Sequence, residues 1–413
     1  MTPPSRCVYL HIGLYKTGTT YLQNLWRANR QQLAEQGVDY PGGPDGPIQV
    51  FAVSDLFGRR PKGGEDRIEG QWGELTAAVQ ASSHPITLIS DESLSLATAR
   101  DARKAVEGFP DHEVHVVATV RDLGRVLLSS WHQAIKSDET WTWREFVDGV
   151  RDPARRGQNP GRGFWIRQDL MTILDVWRNV VSRERVHVVT VPPPGASKDV
   201  LLERVGKVVG YDNTPLTEAT VWDNRAFATA DAEVLRRLNE GLGHRLNERQ
   251  HHRVVRRLLT RELTRHPAAE AVGLDADDQA WVTAEGQRIV DELVASGYEV
   301  VGDLADLVPA ETATPRRPDE TTSDEMLDSA LRALTAMTEE YAKLWWEGTG
   351  ARPTSPESAT RRGGRYRSRS RALRFRVKRG LLNLADRSRL AAMPVNGYLR
   401  LRDARRRRSR TKS

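Results

Sequence analysis

The sequence predicts an α/β fold: a central parallel sheet flanked by helices, followed by a C-terminal helical extension and a basic tail. Three observations carry that expectation. Runs rich in β-branched residues recur at 8–12, 86–90, 114–120 and 186–191. The stretches between them, at 20–37, 71–82, 124–136 and 164–182, carry helical patterns, and strands alternating with helices argue for a parallel sheet covered on both faces. The first strand also leads straight into a loop of Gly and Thr and then a helix.

In chain order, strand 8–12 is followed by Gly13-Leu14-Tyr15-Lys16-Thr17-Gly18-Thr19-Thr20. A strand, a Gly-containing loop and a helix start direct backbone N–H groups and the positive helix end at one point, which suits a phosphate. The plainer reading is a tight turn with no ligand. Gly13 and Gly18 have the spacing of the P-loop motif G-x-x-x-x-G-K-[ST], but Thr19 stands where that motif needs Lys. The loop's only Lys, Lys16, lies two residues before the second Gly. Strand 86–90 runs into Asp91-Glu92-Ser93. Glu92, a carboxylate at a strand end, is able to take a proton from a hydroxyl, and its bland alternative is a capping or surface acid. Strand 114–120 is followed at once by Arg121, where open α/β sheets bind ligands. Ser129 lies eight residues on, about two turns into the next helix. Arg offers a planar fork to phosphate and Ser adds a hydroxyl donor, with Ser130 the neighbouring choice. The plainer account pairs Arg121 with Asp122 and packs the Ser on a helix face. Pro192-Pro193-Pro194-Gly195 ends the fourth strand, and helices are expected over 198–209, 224–246, 250–265 and 281–296.

Lys-Thr-Gly-Thr-Thr at 16–20, entering a helix, resembles the phosphosulfate-binding loop of the sulfotransferases that use 3′-phosphoadenosine-5′-phosphosulfate (PAPS). Arg121 with Ser129 resembles their 3′-phosphate motif, in the family's order and roughly a hundred residues later. Val-Gly-Asp-Leu-x-x-Leu-x-Pro at 301–309 is similar to the close of the catalytic domain in bacterial sulfotransferase-like proteins, so the resemblance covers roughly residues 6–310. It implies a P-loop NTPase-like sulfotransferase fold, PAPS as co-substrate without a metal, and transfer of a sulfuryl group to a hydroxyl of a carbohydrate or glycolipid. It also implies roles. Lys16 clamps the bridging oxygen as charge builds there. Thr17, Gly18, Thr19 and Thr20 give backbone and hydroxyl donors to the 5′ phosphosulfate, and Arg121 and Ser129 hold the 3′-phosphate. Many cytosolic members have a His base after the second strand, and this chain has none there. Carboxylate bases occur in other branches, which makes Glu92 the expected base. His11 is the runner-up, although a packed core histidine accounts for it better. His132 either lines the cleft or faces solvent. The Arg-Lys-Gly run of the eukaryotic members is missing, and Gly161-Arg162-Gly163 matches it poorly, so the bacterial branch is the better comparison. Two other readings stand beside this one. A P-loop kinase is disfavoured by Thr19 and by the lack of a clear Mg²⁺-binding Asp. A non-catalytic nucleotide-binding protein with an anionic-surface-binding tail is the third.

The 413 residues suffice for a sizeable core in one or two domains. No apolar run approaches the ~20 residues of a membrane-spanning helix. Met1-Thr2-Pro3-Pro4-Ser5-Arg6 lacks a signal-peptide pattern, so a cytoplasmic location is expected. The single cysteine, Cys7, excludes an intramolecular disulfide and a thiolate metal cluster. His251-His252 are adjacent, which suits a solvated helical pair better than a metal site. Charge divides unevenly. Residues 361–413 hold 20 Lys+Arg against 2 Asp+Glu, a net of +18, which with +7 for the whole chain leaves the rest at −11. The expected organisation is an α/β domain over 1–310, a linker and docking helix over 311–350, and a basic tail over 351–413. In the docking helix, 323–346, Leu327, Leu331, Leu334, Met337, Tyr341 and Leu344 make an apolar stripe expected to pack on the catalytic body. Residues 361–413 suit an anionic membrane surface, peripheral at its inner face; nucleic acid is the weaker partner, and a solvated tail the plain alternative. Acceptor specificity is expected from the loops 41–70 and 136–163.

Overall fold

The computed structural model describes residues 6–42, 48–59, 68–197, 199–217, 228–264, 272–310 and 316–348. Six strands form one sheet: β1 (Arg6–Gly13), β2 (Val38–Asp39), β3 (Ile86–Ser90), β4 (His112–Val120), β5 (Val186–Thr190) and β6 (Glu299–Val301). All pairings are parallel, in the order β2-β3-β1-β4-β5-β6. The helices around and beyond the sheet's carboxyl end include α1 (Thr19–Ala28), α2 (Leu123–Lys136), α3 (Gly161–Gln168), α4 (Thr229–Leu242), α5 (Ala276–Ser296) and α6 (Ser323–Gly348). The expected α/β class, a central parallel sheet flanked by helices, is therefore what the chain forms.

A parallel sheet buries both faces, so alternate residues of each strand enter different cores. Val8, Leu10, Ile12, Val114, Val116 and Ala118 face one core, packed with helices that include Leu170–Arg178. Leu88, Val117 and Val189 face the other, with Leu22 and Trp26 of α1 and Leu202 and Val205 of Asp199–Val209. A third core, Leu127, Trp131, Trp143, Leu235 and Val282, joins α2 to Trp143–Arg151, α4 and α5. The chain leaves β1 toward β2, while it leaves β3 and β4 in the opposite sense. The carboxyl ends of these three neighbours thus border a crevice, the place where open parallel sheets bind ligands.

The structure corrects several element expectations. Helix 20–37 breaks at Asn29, because its buried side chain donates to Leu25 O at 2.8 Å and accepts from Thr217 N–H at 2.8 Å. Helix 164–182 breaks at Asp169, which caps Leu170–Arg178 by accepting from Thr172 N–H. The segment 136–163 is not only loop: Thr142 and Glu145 form a reciprocal capping box that starts Trp143–Arg151. Segment 41–70 likewise holds Gln49–Leu56. The expected helix 250–265 is π-helical over His252–Leu259.

The C-terminal helix forms but does not dock by its apolar stripe. Buried Asp231 of α4 accepts from Ser329 Oγ at 2.6 Å and from Arg332 at 2.6 Å, and this fixes which face of α6 turns inward. Leu327, Leu331 and Leu334 are left more than half exposed. The chain divides into units 1–338 and 339–413, of which the second is described only at 339–348. The basic tail, 361–413, lies outside the described residues. No helix among the described residues is long and apolar enough to cross a membrane.

Candidate active site

The loop between β1 and α1 is held from beneath by hydroxyls. Thr17 Oγ1 donates to Leu14 O at 2.6 Å and shares a 2.7 Å hydrogen bond with Thr119 Oγ1 of β4, and Thr19 Oγ1 donates to Leu14 O at 3.3 Å. Both threonines are buried. Their hydroxyls are thus spent on the loop itself, which corrects the expectation that they face a ligand. Thr20 is exposed at the helix start. What the loop presents is backbone. Apart from the hydrogen-bonded turn at 15–16, which engages Thr17 N–H, the N–H groups of 16–20 make no backbone hydrogen bond outside the helix among the described residues. Lys16 and Gly18 both adopt left-handed φ, 68° and 89°, which curls the loop into a cradle of donors.

Lys16 is half-buried, and its Nζ donates to Gln133 Oε1 of α2 at 2.9 Å. The Lys16 carbonyl accepts from Arg121 at 3.2 Å, so the residue after β4 is tied to the loop after β1. Arg121 Nε is buried with no partner among the described residues, an orphaned donor that fits an anion. Ser129 is half-buried on α2, four residues before Gln133 and hence on the same helix face. Ser130 is turned roughly 100° from Ser129 about the helix axis, given about 3.6 residues per turn, so Ser129 lies nearer the centre of that face. From α3, Gln168 Nε2 donates to Tyr15 O at 2.9 Å and the Arg167 guanidinium lies over the Tyr15 ring.

Glu92 follows β3 directly and is half-buried against the first strand. A Cβ on Gly13 would lie 3.0 Å from Glu92 Cβ. Burial raises the Glu92 carboxyl to about 7; Asp91 adds to the rise and Lys16 opposes it. Burial also presses the Lys16 ammonium down to about 8, against the pull of Glu92 and with help from Arg256, Arg121 and Arg167. The two side chains feel each other's charge without an ion pair among the described residues. Asp91 is occupied in accepting from Ser93 N–H at 2.8 Å.

The two histidines resolve clearly. His11 is fully buried, its Nδ1 2.7 Å from Ser90 Oγ and its Nε2 3.2 Å from Thr119 Oγ1, and burial lowers its pKa to about 3. It is a neutral bridge between β3, β1 and β4, and no base. His132 is half-buried beside Lys136 and Lys16, and burial followed by those two charges lowers it to about 3. His251 is buried and bonded to Asn239 and Asp138. Among the described residues no group of three or more His, Cys, Asp or Glu could hold a metal ion. Gly161 serves packing: a Cβ there would meet Gly149 O at 2.3 Å.

The structure therefore brings Lys16, Gly18, Arg121 and Glu92 to the carboxyl ends of β1, β4 and β3, with Ser129 on the helix face that holds Lys16. Sequence reading missed Gln133, Gln168, Lys136 and Arg256. Gln133 could have been found from its spacing of four from Ser129. Lys136, seven residues beyond Ser129 on the same helix, carries the same spacing signal, whereas Gln168 and Arg256 arrive by tertiary packing.

No protein-family model matches the chain, and no curated protein matches it. Among solved structures it is similar to a sulfotransferase from Alicyclobacillus acidocaldarius, at 15% identity and a TM-score of 0.35, over 52% of this chain and 86% of that one.

Proposed function

We propose that this protein is a sulfotransferase that moves a sulfuryl group from PAPS to an acceptor hydroxyl, on a carbohydrate or glycolipid. The observation that carries the reading is the convergence of one ammonium, a cradle of unpaired backbone N–H groups and the orphaned Arg121 Nε beside a carboxyl poised near neutrality. The donor's 5′ phosphosulfate is matched by the N–H groups of 16–20. Its 3′-phosphate is matched by Arg121 and Ser129.

In the reaction, the acceptor oxygen attacks sulfur and the bond from sulfur to the bridging oxygen breaks. Charge grows on that oxygen as 3′-phosphoadenosine-5′-phosphate (PAP) departs, and Lys16 is the cation to offset it. The acceptor's proton passes to Glu92, whose carboxyl near 7 suits a base at neutral pH. No step needs a metal. Position 19 speaks against the kinase reading: it holds a buried Thr whose hydroxyl bonds Leu14 O, not a Lys reaching for phosphate.

Calorimetry of PAP beside ATP tests the reading on wild type, Lys16→Ala and Arg121→Ala. Tight PAP binding, weak ATP binding and a loss of about 2–4 kcal/mol in Arg121→Ala, the scale for stripping a partner from a buried charge pair, are expected. Preference for ATP with Mg²⁺ would overturn it.

The tail adds a second proposal: 361–413 attaches the enzyme to an anionic membrane surface, close to a glycolipid acceptor.

A further inference from the structure

Helix α6 is held by one face and turns an apolar face to water. The held face is set by Ser329, which is fully buried with its Oγ 2.6 Å from Asp231, and by Ala336, two turns on and also buried. Ala333, between them, packs on the core that joins α2, α4 and α5. Counted at about 100° per residue, Leu327, Leu331, Leu334, Thr338 and Tyr341 all lie within roughly 50° of the opposite direction. The three leucines are 58%, 52% and 63% exposed and Tyr341 is 70% exposed.

The spacing of this stripe is that of a helix that meets another helix. From Leu327 to Tyr341 the steps run four, three, four and three, a period of 3.5 residues. That period keeps one seam against a partner as two helices coil together. The area points the same way. Four large side chains, each more than half exposed, leave on the order of 500 Å² of apolar surface in water, near the top of the range for a monomer. Two copies that cover it together remove about 1,000 Å², the lower bound for a specific interface.

Charge decides between occupants. The residues beside the seam are Ala330, Thr335 and Ala342, with Asp324 and Asp328 at its amino end. The helix's two basic residues are engaged elsewhere, Arg332 with Asp231 and Lys343 with Glu340. A helix that lies on an anionic leaflet flanks its apolar face with Lys and Arg, and this one does not. A second copy needs only a matching apolar seam free of facing like charges along most of its length. Because the opposite face already holds α6 as a helix, pairing does not have to order it first.

We propose that two copies of this chain associate through α6, seam to seam about a two-fold axis, with Leu331 and Leu334 at the heart of the contact. A self-complementary patch of this kind closes as a dimer rather than growing into a fibre. The inference is independent of sulfuryl transfer and goes beyond it.

Sedimentation of the full chain across about 1–100 µM tests this, in about 0.5 M salt so that the basic tail does not tether bodies by charge. The mass is expected to rise from one copy to two, with a midpoint on the order of 10 µM, the weak end for an interface of this size. The double variant Leu331→Glu/Leu334→Glu should stay monomeric throughout, with at least about 10-fold weaker association. At about 1 µM, where both proteins are single copies, its Tm and circular dichroism should match wild type, because in one copy both side chains already stand in water. Leu331→Ile/Leu334→Ile should still dimerise. Wild type that remains one copy at about 100 µM overturns the inference, since the stripe is then covered by its own chain or by nothing. Dimers that survive both glutamates overturn it as well, because the copies then meet elsewhere. So does a lower Tm of the glutamate variant at about 1 µM, which would place the stripe against its own chain.

Discussion

In the proposed reaction, Lys16 and Glu92 depend on burial, which pulls both toward neutrality from opposite sides. Glu92 must lose its proton to act as a base, and Lys16 must keep its proton to act as a clamp. The profile of kcat/KM against pH is therefore expected to rise through about 7 and fall through about 8. The two limbs belong to the coupled pair, since each charge shifts the other. Glu92→Gln should cost about 10²–10⁴-fold in kcat/KM and erase the rising limb. Its effect on stability runs the other way. The folded carboxyl titrates near 7 against an ordinary 4.5, so the folded state holds its proton more tightly than the unfolded chain. That contribution is fully present below 4.5 and is lost as pH rises through about 7. Glu92→Gln should accordingly raise Tm at about pH 8 and change it little at about pH 4, and thermal denaturation at the two pH values reads the difference. A variant with lower activity and unchanged Tm at pH 8 would mean that Glu92 is not held protonated by its surroundings. The positions of Lys16, Arg121, Ser129 and Glu92 beside the strand ends were legible in the sequence, because each sits at a fixed offset from a β-branched run. Arg256 was not, because only the packing of α4 against α2 sets its neighbourhood.

At the scale of elements, the site depends on how closely β1 and β3 approach at their carboxyl ends. Gly13 ends β1 at φ 81°, and a Cβ there would press on Glu92 Cβ at 3.0 Å. Gly13→Ala meets both penalties at once: left-handed backbone costs a non-glycine residue roughly 1–2 kcal/mol, and the contact displaces Glu92. Equilibrium denaturation should show a loss of that order, with kcat falling more than PAP affinity, because the base moves while the N–H cradle does not. Equal losses in both would mean that the whole loop shifted. Beneath the loop, Ser90, His11, Thr119 and Thr17 form a buried hydrogen-bonded chain across β3, β1 and β4. The strands that carry it were legible from their β-branched runs. Their partnership was not, since parallel neighbours are far apart in sequence and the side chains that bridge them give no periodic signal. The same limit explains α6. Its apolar stripe read as a docking face, but a buried carboxylate, Asp231, sets which face turns inward. Leaving that carboxylate without Ser329 and Arg332 would cost about 3–5 kcal/mol, comparable with leaving three leucines about half exposed.

At the scale of the whole molecule, the distribution of charge is the feature that the fold alone does not explain. The chain up to residue 360 carries −11 and the remainder +18, so body and tail are drawn to opposite surfaces. Each Lys or Arg near an anionic leaflet contributes about 1 kcal/mol at low salt, and 20 of them outweigh the repulsion between leaflet and body. The full chain is expected to sediment with phosphatidylserine vesicles and to stay in solution with neutral ones. Truncation after residue 360 removes the attraction and leaves a net acidic protein, which the same vesicles repel. Because the force is Coulombic, about 0.5 M salt should release the full chain, since the screening length then falls to only a few ångströms. PAP affinity should be the same for both chains, as the donor residues all precede residue 130. Retention of the full chain at high salt would point instead to apolar insertion of the tail. Equal behaviour of the two chains on anionic vesicles would end the membrane proposal and leave sulfuryl transfer untouched, because surface attachment and donor binding draw on separate parts of the sequence.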